Sequence, residues 1–191
     1  MFSELVYCAD CKAKMRYCTT KYFEARQDHF VCANYRSNTG SCSAHFIRAV
    51  VLEKLVWEHL KEVIWYVGHY ESHFRSIMES KLQAESKNAL RVKQKQLEKD
   101  EQRDLKAEAE VLQQEIETQE QQNQNLELFI QKVRKYADMT ELTPYAAHEL
   151  IKAIYVGAPD KSSGKRRQSI HICYDLIGFI PLSELMEQEM A

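Results

Sequence analysis

Glycine and proline are almost missing from the middle of this 191-residue chain: Gly40, Gly157, Gly164, Gly178 and all three prolines lie outside residues 50–143. Both residues are excluded from helix interiors, proline because it lacks the amide donor and clashes with the preceding turn, glycine because ordering it costs about 1 kcal/mol more than alanine. A span this long and this free of breakers predicts helix across residues 47–143. Its first part, IRAVVLEKLVWEHLKEVIWYV, sets Ile47, Val50, Val51, Leu55, Leu60, Val63, Ile64 and Val67 on one face. Gly68 is the expected break, after which a more polar helix continues. From Leu105 a heptad seam emerges, with Leu105, Leu112, Gln119, Leu126 and Val133 at d, and Ala109, Ile116, Asn123 and Ile130 at a. Residues 69–99 hold less well to one heptad frame. The seam calls for a paired helix rather than a solitary solvated one. The partner is either the same chain, turning near EKDEQRD (98–104), or a second copy.

The flanks read differently. In residues 1–46, FSELVYC, KMRYCTT, YFEARQ and HFVCANY each suggest a short strand, and RSNTGSCS a turn with Gly40 free to take positive φ. So few residues in short strands cannot bury a sufficient core, and such modules need a staple. Cysteines supply the candidate. Cys8 and Cys11 have the two-residue spacing of a zinc knuckle, and Cys32 and Cys42 offer a second pair within the same module. One structural Zn2+ on Cys8, Cys11, Cys32 and Cys42 is expected. Cys18 and His45 are rival ligands, while Cys173 lies far away in an alternating strand. A redox reading of the first pair lacks the βαβ setting it requires.

Beyond residue 143, Thr143 can cap a helix with Pro144 at its first position. Leu150 to Val156 then run into a strand, the polar stretch 158–168 turns, and SIHICYDLIGFI alternates as a second strand. The tip of this β-hairpin carries Lys161, Lys165, Arg166 and Arg167, and residues 183–191 form a tail or short helix. The fold class is therefore α+β: a zinc β-ribbon (1–46), helix and coiled coil (47–143), and a returning helix and β-hairpin (144–182).

Charge is unevenly spread. Residues 1–50 hold seven Lys/Arg against four Asp/Glu, residues 51–143 fourteen against eighteen, and residues 144–191 five against six. A basic module on an acidic stem fits nucleic-acid binding. The sequence has no apolar run of membrane-spanning length and no signal-peptide pattern at its start. A cytoplasmic protein with reduced cysteines is expected. It has no phosphate loop, carboxylate pair or open metal site to suggest an enzyme.

The stretches LVYCADCKAKM, YFEARQDHFVCANYRSNTGSCSAHFIRAVVLEKLVWEHL, ADMTELTPYAAHELIKAIYV and GKRRQSIHICYDLIGFIPL resemble the C-terminal half of large serine recombinases of bacterial conjugative transposons. The resemblance implies a zinc β-ribbon that binds DNA, a coiled-coil hairpin, and a strand pair that returns to the ribbon. It matches Cys8, Cys11, Cys32 and Cys42 to the family's zinc ligands and places Arg36, His45 and Arg48 at or beside the DNA-facing surface. Lys12, Lys14, Arg16, Lys21 and Arg26 would add phosphate and groove contacts. The family's catalytic serine belongs to a resolvase-type domain to which no serine here is matched, so this chain is expected to bind double-stranded attachment-site DNA without cutting it. In two respects it departs from the family. Lys12 stands where the knuckle usually has glycine, and KQKQLEK runs directly into DEQRDLKAEAEVL, which shortens the coiled coil. The alternative is a zinc-scaffolded coiled-coil module for protein contacts, self-association included.

Overall fold

The computed structural model describes residues 1–22, 24–37, 42–97, 105–160 and 167–187. The expected turn at 98–104, Gly40, Gly164 and the hairpin-tip residues Lys161, Lys165 and Arg166 lie outside them. The architecture is α+β.

Three short strands, β1 (Val6–Cys8), β2 (Met15–Cys18) and β3 (His29–Cys32), come from the N-terminal segment, followed by the one-turn helix α1 (Ala33–Arg36) and strand β4 (Phe46–Arg48). One expected strand is absent among the described residues, and another is cut short. YFEARQ ends in a 3-10 turn over Ala25–Gln27, where the Gln27 side chain accepts from the Glu24 amide at 2.8 Å and closes a capping box. HFVCANY is strand only as far as Cys32, because the next four residues coil into α1.

Helix α2 (Ala49–His69) follows, then α3 (Glu71–Leu97) and α4 (Leu105–Lys135). The buried face of α2 is Leu52, Val56, Leu60, Val63, Ile64, Tyr66 and Val67. The predicted face was thus rotated at its start: Val50 and Val51 are exposed, and Ile47 is buried from β4 rather than from a helix. Gly68 does not break α2. The break falls at Tyr70, with φ −129° and ψ 42°.

Helices α3 and α4 pack against each other in antiparallel order within the chain. Arg134 on α4 bonds Glu71 on α3, Arg75 meets Glu127 at 2.6 Å, and Gln122 donates to Ser86 at 2.7 Å. Leu126, Ile130 and Val133 of the heptad are buried with Phe129 against Phe74 and Met78. Farther along α4, Leu112 and Ile116 are 60% and 54% exposed. Among the described seam residues, full burial is therefore found at Leu126, Ile130 and Val133, where α2 and the sheet add a third layer.

Helix α5 (Pro144–Leu150) begins as expected, with Thr143 Oγ1 accepting from the Ala146 amide at 3.1 Å and Pro144 in the first turn. It leads into β5 (Ile151–Asp160), which pairs antiparallel with β6 (Arg167–Tyr174), then β7 (Gly178–Phe179) and α6 (Leu182–Glu187). Where β5 bulges after Val156, Gly157 admits the Ser169 side chain, whose oxygen would lie 2.3 Å from an added Cβ.

Two sheets result, one ordered β1-β5-β6-β7 and the other β2-β3-β4. The first strand of the cysteine module thus belongs to the C-terminal sheet, where Val6, Tyr7 and Cys8 pair parallel with Ile154, Tyr155 and Val156. The inner face of that sheet, with Ile154, Val156, Ile172 and Tyr174, packs into the same apolar core as α2 and the roots of α3 and α4. Tyr174 is fully buried, and its hydroxyl meets His59 Nδ1 on α2 at 2.7 Å.

Candidate metal centre and the basic ribbon

Pairing places the cysteines. Strand β1 ends at Cys8, and the chain turns back so that the Cys8 amide donates to Ala13 O and the Lys12 amide to Cys8 O. This tight turn brings Cys11 beneath Cys8. Strand β3 ends at Cys32, directly across from Met15, and the stretch before β4 returns Cys42 to the same point. The four Sγ atoms lie within 4.8 Å of one another. Cys8 and Cys42 are 3.6 Å apart, Cys11 and Cys32 3.5 Å, and Cys32 and Cys42 3.8 Å. A tetrahedral zinc with Zn–S bonds of about 2.3 Å needs S···S edges of about 3.8 Å, close to the three measured ones, so the cluster has the shape to hold one zinc. With all four positions filled by thiolates, the site is closed and structural rather than catalytic. Zinc supplies here the cross-link that forty-odd residues of short strands cannot supply by burial.

The thiols do not titrate alike. Burial opposes ionisation of Cys11, but the Ala13 amide and the neighbouring thiols outweigh it and bring the group down to about 7. Burial raises Cys8 and Cys42. Cys18 is outside the cluster and receives a hydrogen bond from Arg36 Nη1 at 2.9 Å. Cys173 is half-buried on β6.

His45 corrects an expectation. It is 0% exposed, so it offers nothing to DNA, and it is not among the clustered ligands. Its Nδ1 lies 2.9 Å from Ser43 O and 3.5 Å from Cys42 Sγ, and its Nε2 lies 3.0 Å from an Asp10 carboxylate oxygen. The imidazole is thereby packed between the Cys8–Cys11 turn and the Cys42 segment. Conserving metal-site geometry through such outer contacts is what orienting partners of ligands do. Nothing in the spacing of CSAH separated this role from ligation or surface contact, because burial is decided by the fold.

The remaining basic residues are distributed over the ribbon. Lys12 sits in the left-handed region at φ 59°, which accounts for the usual glycine there. Its ammonium donates to Ala9 O at 2.6 Å and lies 5.0 Å from the centre of the Tyr155 ring. Arg16 projects from the exposed edge strand β2, and Lys14 lies 3.4 Å from Glu4, both of them exposed. Lys21 lies over Tyr22, and Arg26 pairs with Glu24. Arg48, the residue before α2, opens onto a cleft of about 670 Å³ together with Phe46, Val51, Leu55, Arg167 and Gln168. Exposed Tyr17, Tyr22 and Tyr35 stand among these cations, a signal the charge count did not include.

No helix among the described residues is long and apolar enough to cross a membrane. No curated protein and no solved structure matches the chain. The model of a domain of unknown function, DUF4368, matches residues 115–181, which span most of α4, α5 and the β5–β6 hairpin. Residues 1–61, the span that contains the four-cysteine cluster and the ribbon, match the model of the recombinase zinc beta ribbon domain, and the cluster fits the one structural zinc that such a ribbon holds.

Proposed function

We propose that the chain is the DNA-binding part of a site-specific serine recombinase and recognises double-stranded attachment-site or transposon-end DNA without cleaving it. The observation that carries this reading is the match of residues 1–61 to the recombinase zinc ribbon, on a segment whose exposed residues include Lys14, Arg16, Tyr17, Lys21, Tyr22 and Tyr35. Zinc holds β2, β3 and β4 as one body. Lys14, Arg16, Lys21, Arg26, Arg36 and Arg48 then supply phosphate and groove contacts from fixed backbone positions. A four-thiolate site leaves no open coordination position for hydrolysis, so the metal serves shape rather than chemistry.

An anisotropy titration against transposon-end duplex, with and without chelator, tests the reading. Nanomolar, sequence-selective binding that disappears with the metal is the expected result. Clean self-association without DNA binding would overturn it. That outcome would favour a second role, a protein-contact module, for which exposed Leu112 and Ile116 on the outer half of α4 speak. The two roles are compatible, since the ribbon and the outer α4 surface are separate.

A further inference from the structure

The C-terminal sheet has a second face. Tyr174, Ile172, Ile154 and Val156 point into the core, so the residues alternating with them point outward. On that face the pairing register aligns one residue from each of the three neighbouring strands β1, β5 and β6, and Lys14, just before β2, adjoins the first of them through an isolated bridge. Lys14 bridges Tyr7, Tyr7 pairs with Tyr155, and Tyr155 pairs with His171. The Tyr7 and Tyr155 rings are 5.9 Å apart, and Lys12 lies over Tyr155. Arg16, on β2 two residues beyond Lys14, lies on the same side as Lys14 but along the strand rather than in the row. Glu4, beside Lys14, is the acidic neighbour of this row. Lys14 and His171 are exposed, and both tyrosines are half-buried.

We propose that this row, Lys14–Tyr7–Tyr155–His171, is a binding surface for the phosphate backbone of duplex DNA, so that the DNA interface extends from the ribbon onto the C-terminal sheet. The inference rests on the DNA-binding reading and adds to it residues from a part of the chain distant in sequence. Charge complementarity selects the partner: Lys12, Lys14 and Arg16 supply cations in and beside the row. The tyrosine hydroxyls and the His171 ring donate to oxygen acceptors, the pattern in which side chains position a duplex without reading its sequence. With strands about 4.8 Å apart, three steps cover about 14 Å, the rise over which one DNA strand presents about four phosphates. The row meets the ribbon at Lys14, so one duplex can lie along both. Zinc then acts at a distance, because it is the Cys8–Cys11 turn that holds Lys12 and Lys14 beside Tyr155 and Tyr7.

The test uses the whole zinc-loaded chain and a fluorescein-labelled random-sequence duplex, alongside the same oligonucleotide as a single strand. Tyr7→Phe and Tyr155→Phe keep the packing and remove one donor each, and about fivefold weaker duplex binding is expected from each. His171→Glu, at an exposed position, should weaken binding about tenfold at low salt and progressively less as salt rises. Lys14→Ala should lower the salt slope by about one. Zinc content and circular dichroism establish that each variant is folded. If the parent chain binds no duplex, the DNA-binding reading itself fails. If the parent binds, and Lys21→Ala on the ribbon weakens it while the Tyr7, Tyr155 and His171 variants do not, this inference alone fails. Tighter binding to the single strand, lost on removing the two rings, would replace backbone contact by base stacking and also overturn it.

Discussion

The two sheets of this protein are held by different means, although they adjoin at the Tyr7–Lys14 bridge and share one core. The β2-β3-β4 sheet is built from strands of three or four residues and closes on four cysteine sulfurs. In the β1-β5-β6-β7 sheet, strands of ten and eight residues cover the core with a whole apolar face. The first sheet adds only Met15, Phe30 and Ile47 to the apolar core that the second covers along its length, so it depends on the metal as well as on burial. Cys8 is where the regimes meet, since it ends β1 in one sheet and holds zinc for the other. A metal and a hydrophobic core thus stabilise adjacent parts of one fold, and each should fail separately.

Chelation of zinc, or Cys32→Ser, is the strongest way to separate them. Structural zinc contributes about 10–16 kcal/mol in small zinc-dependent modules, and no other interaction of the ribbon approaches that. Amide hydrogen exchange should show loss of protection across Met15–Cys18, His29–Cys32 and Phe46–Arg48, with β5 and β6 still protected. Equal loss in both sheets would show that the metal holds them as one cooperative unit. Metal affinity should itself fall as pH is lowered, because zinc takes thiolates and protons compete for them.

Ile154→Ala probes the other side. Removing this fully buried side chain should cost about 2–5 kcal/mol in denaturant unfolding, while zinc stoichiometry stays at one per chain. Loss of zinc in this variant would mean that the parallel β1–β5 pairing, rather than the cysteines alone, assembles the knuckle. Thr143→Ala should cost about 1 kcal/mol by removing the cap of α5, again without effect on the metal.

The smallest expected effect is on pH dependence. Burial lowers the His59 pKa beneath its unfolded value of about 6.5. The neutral ring beside Tyr174 is therefore the native form. The stabilisation it represents is present above that value and is lost as pH falls through it toward the folded one. Glu71, held down by Arg75 and Arg134 against an opposing burial effect, adds a loss in the same direction at more acidic pH. Thermal unfolding followed from pH 7 to pH 5 should show the first decline, and His59→Gln should flatten it. A decline unchanged in His59→Gln would assign it elsewhere.

How far the sequence could be read differs between these regions for physical reasons. The zinc site was legible because ligand chemistry restricts residue type and spacing: four cysteines in one short module leave few alternatives, and Cys8, Cys11, Cys32 and Cys42 meet as expected. The α5 cap and the β5–β6 hairpin were legible for the same kind of reason, since Thr143 and Pro144 act through local backbone geometry. The start of α2 was misread because Val50 and Val51 satisfy a helical period while facing outward. Hydrophobic periodicity identifies a helix without saying which of two adjacent apolar stripes finds a partner. His45 was misread because a histidine beside a knuckle can bind metal, face solvent or pack inside, and only burial distinguishes these.

The sequence by itself determined the local and chemical elements of this protein: the long breaker-free helices, the four-thiolate metal site, the capped α5 and the closing hairpin. Each follows from a covalent or short-range rule in which the interacting residues carry their own constraint. Tertiary structure alone decided that β1 joins the C-terminal sheet, that His45 is sealed beneath Asp10, and that Tyr7, Tyr155 and His171 share one open face with Lys14. These depend on the register between segments nearly 150 residues apart, and strand pairing over such separations is settled by how the whole core packs rather than by either partner's own residues.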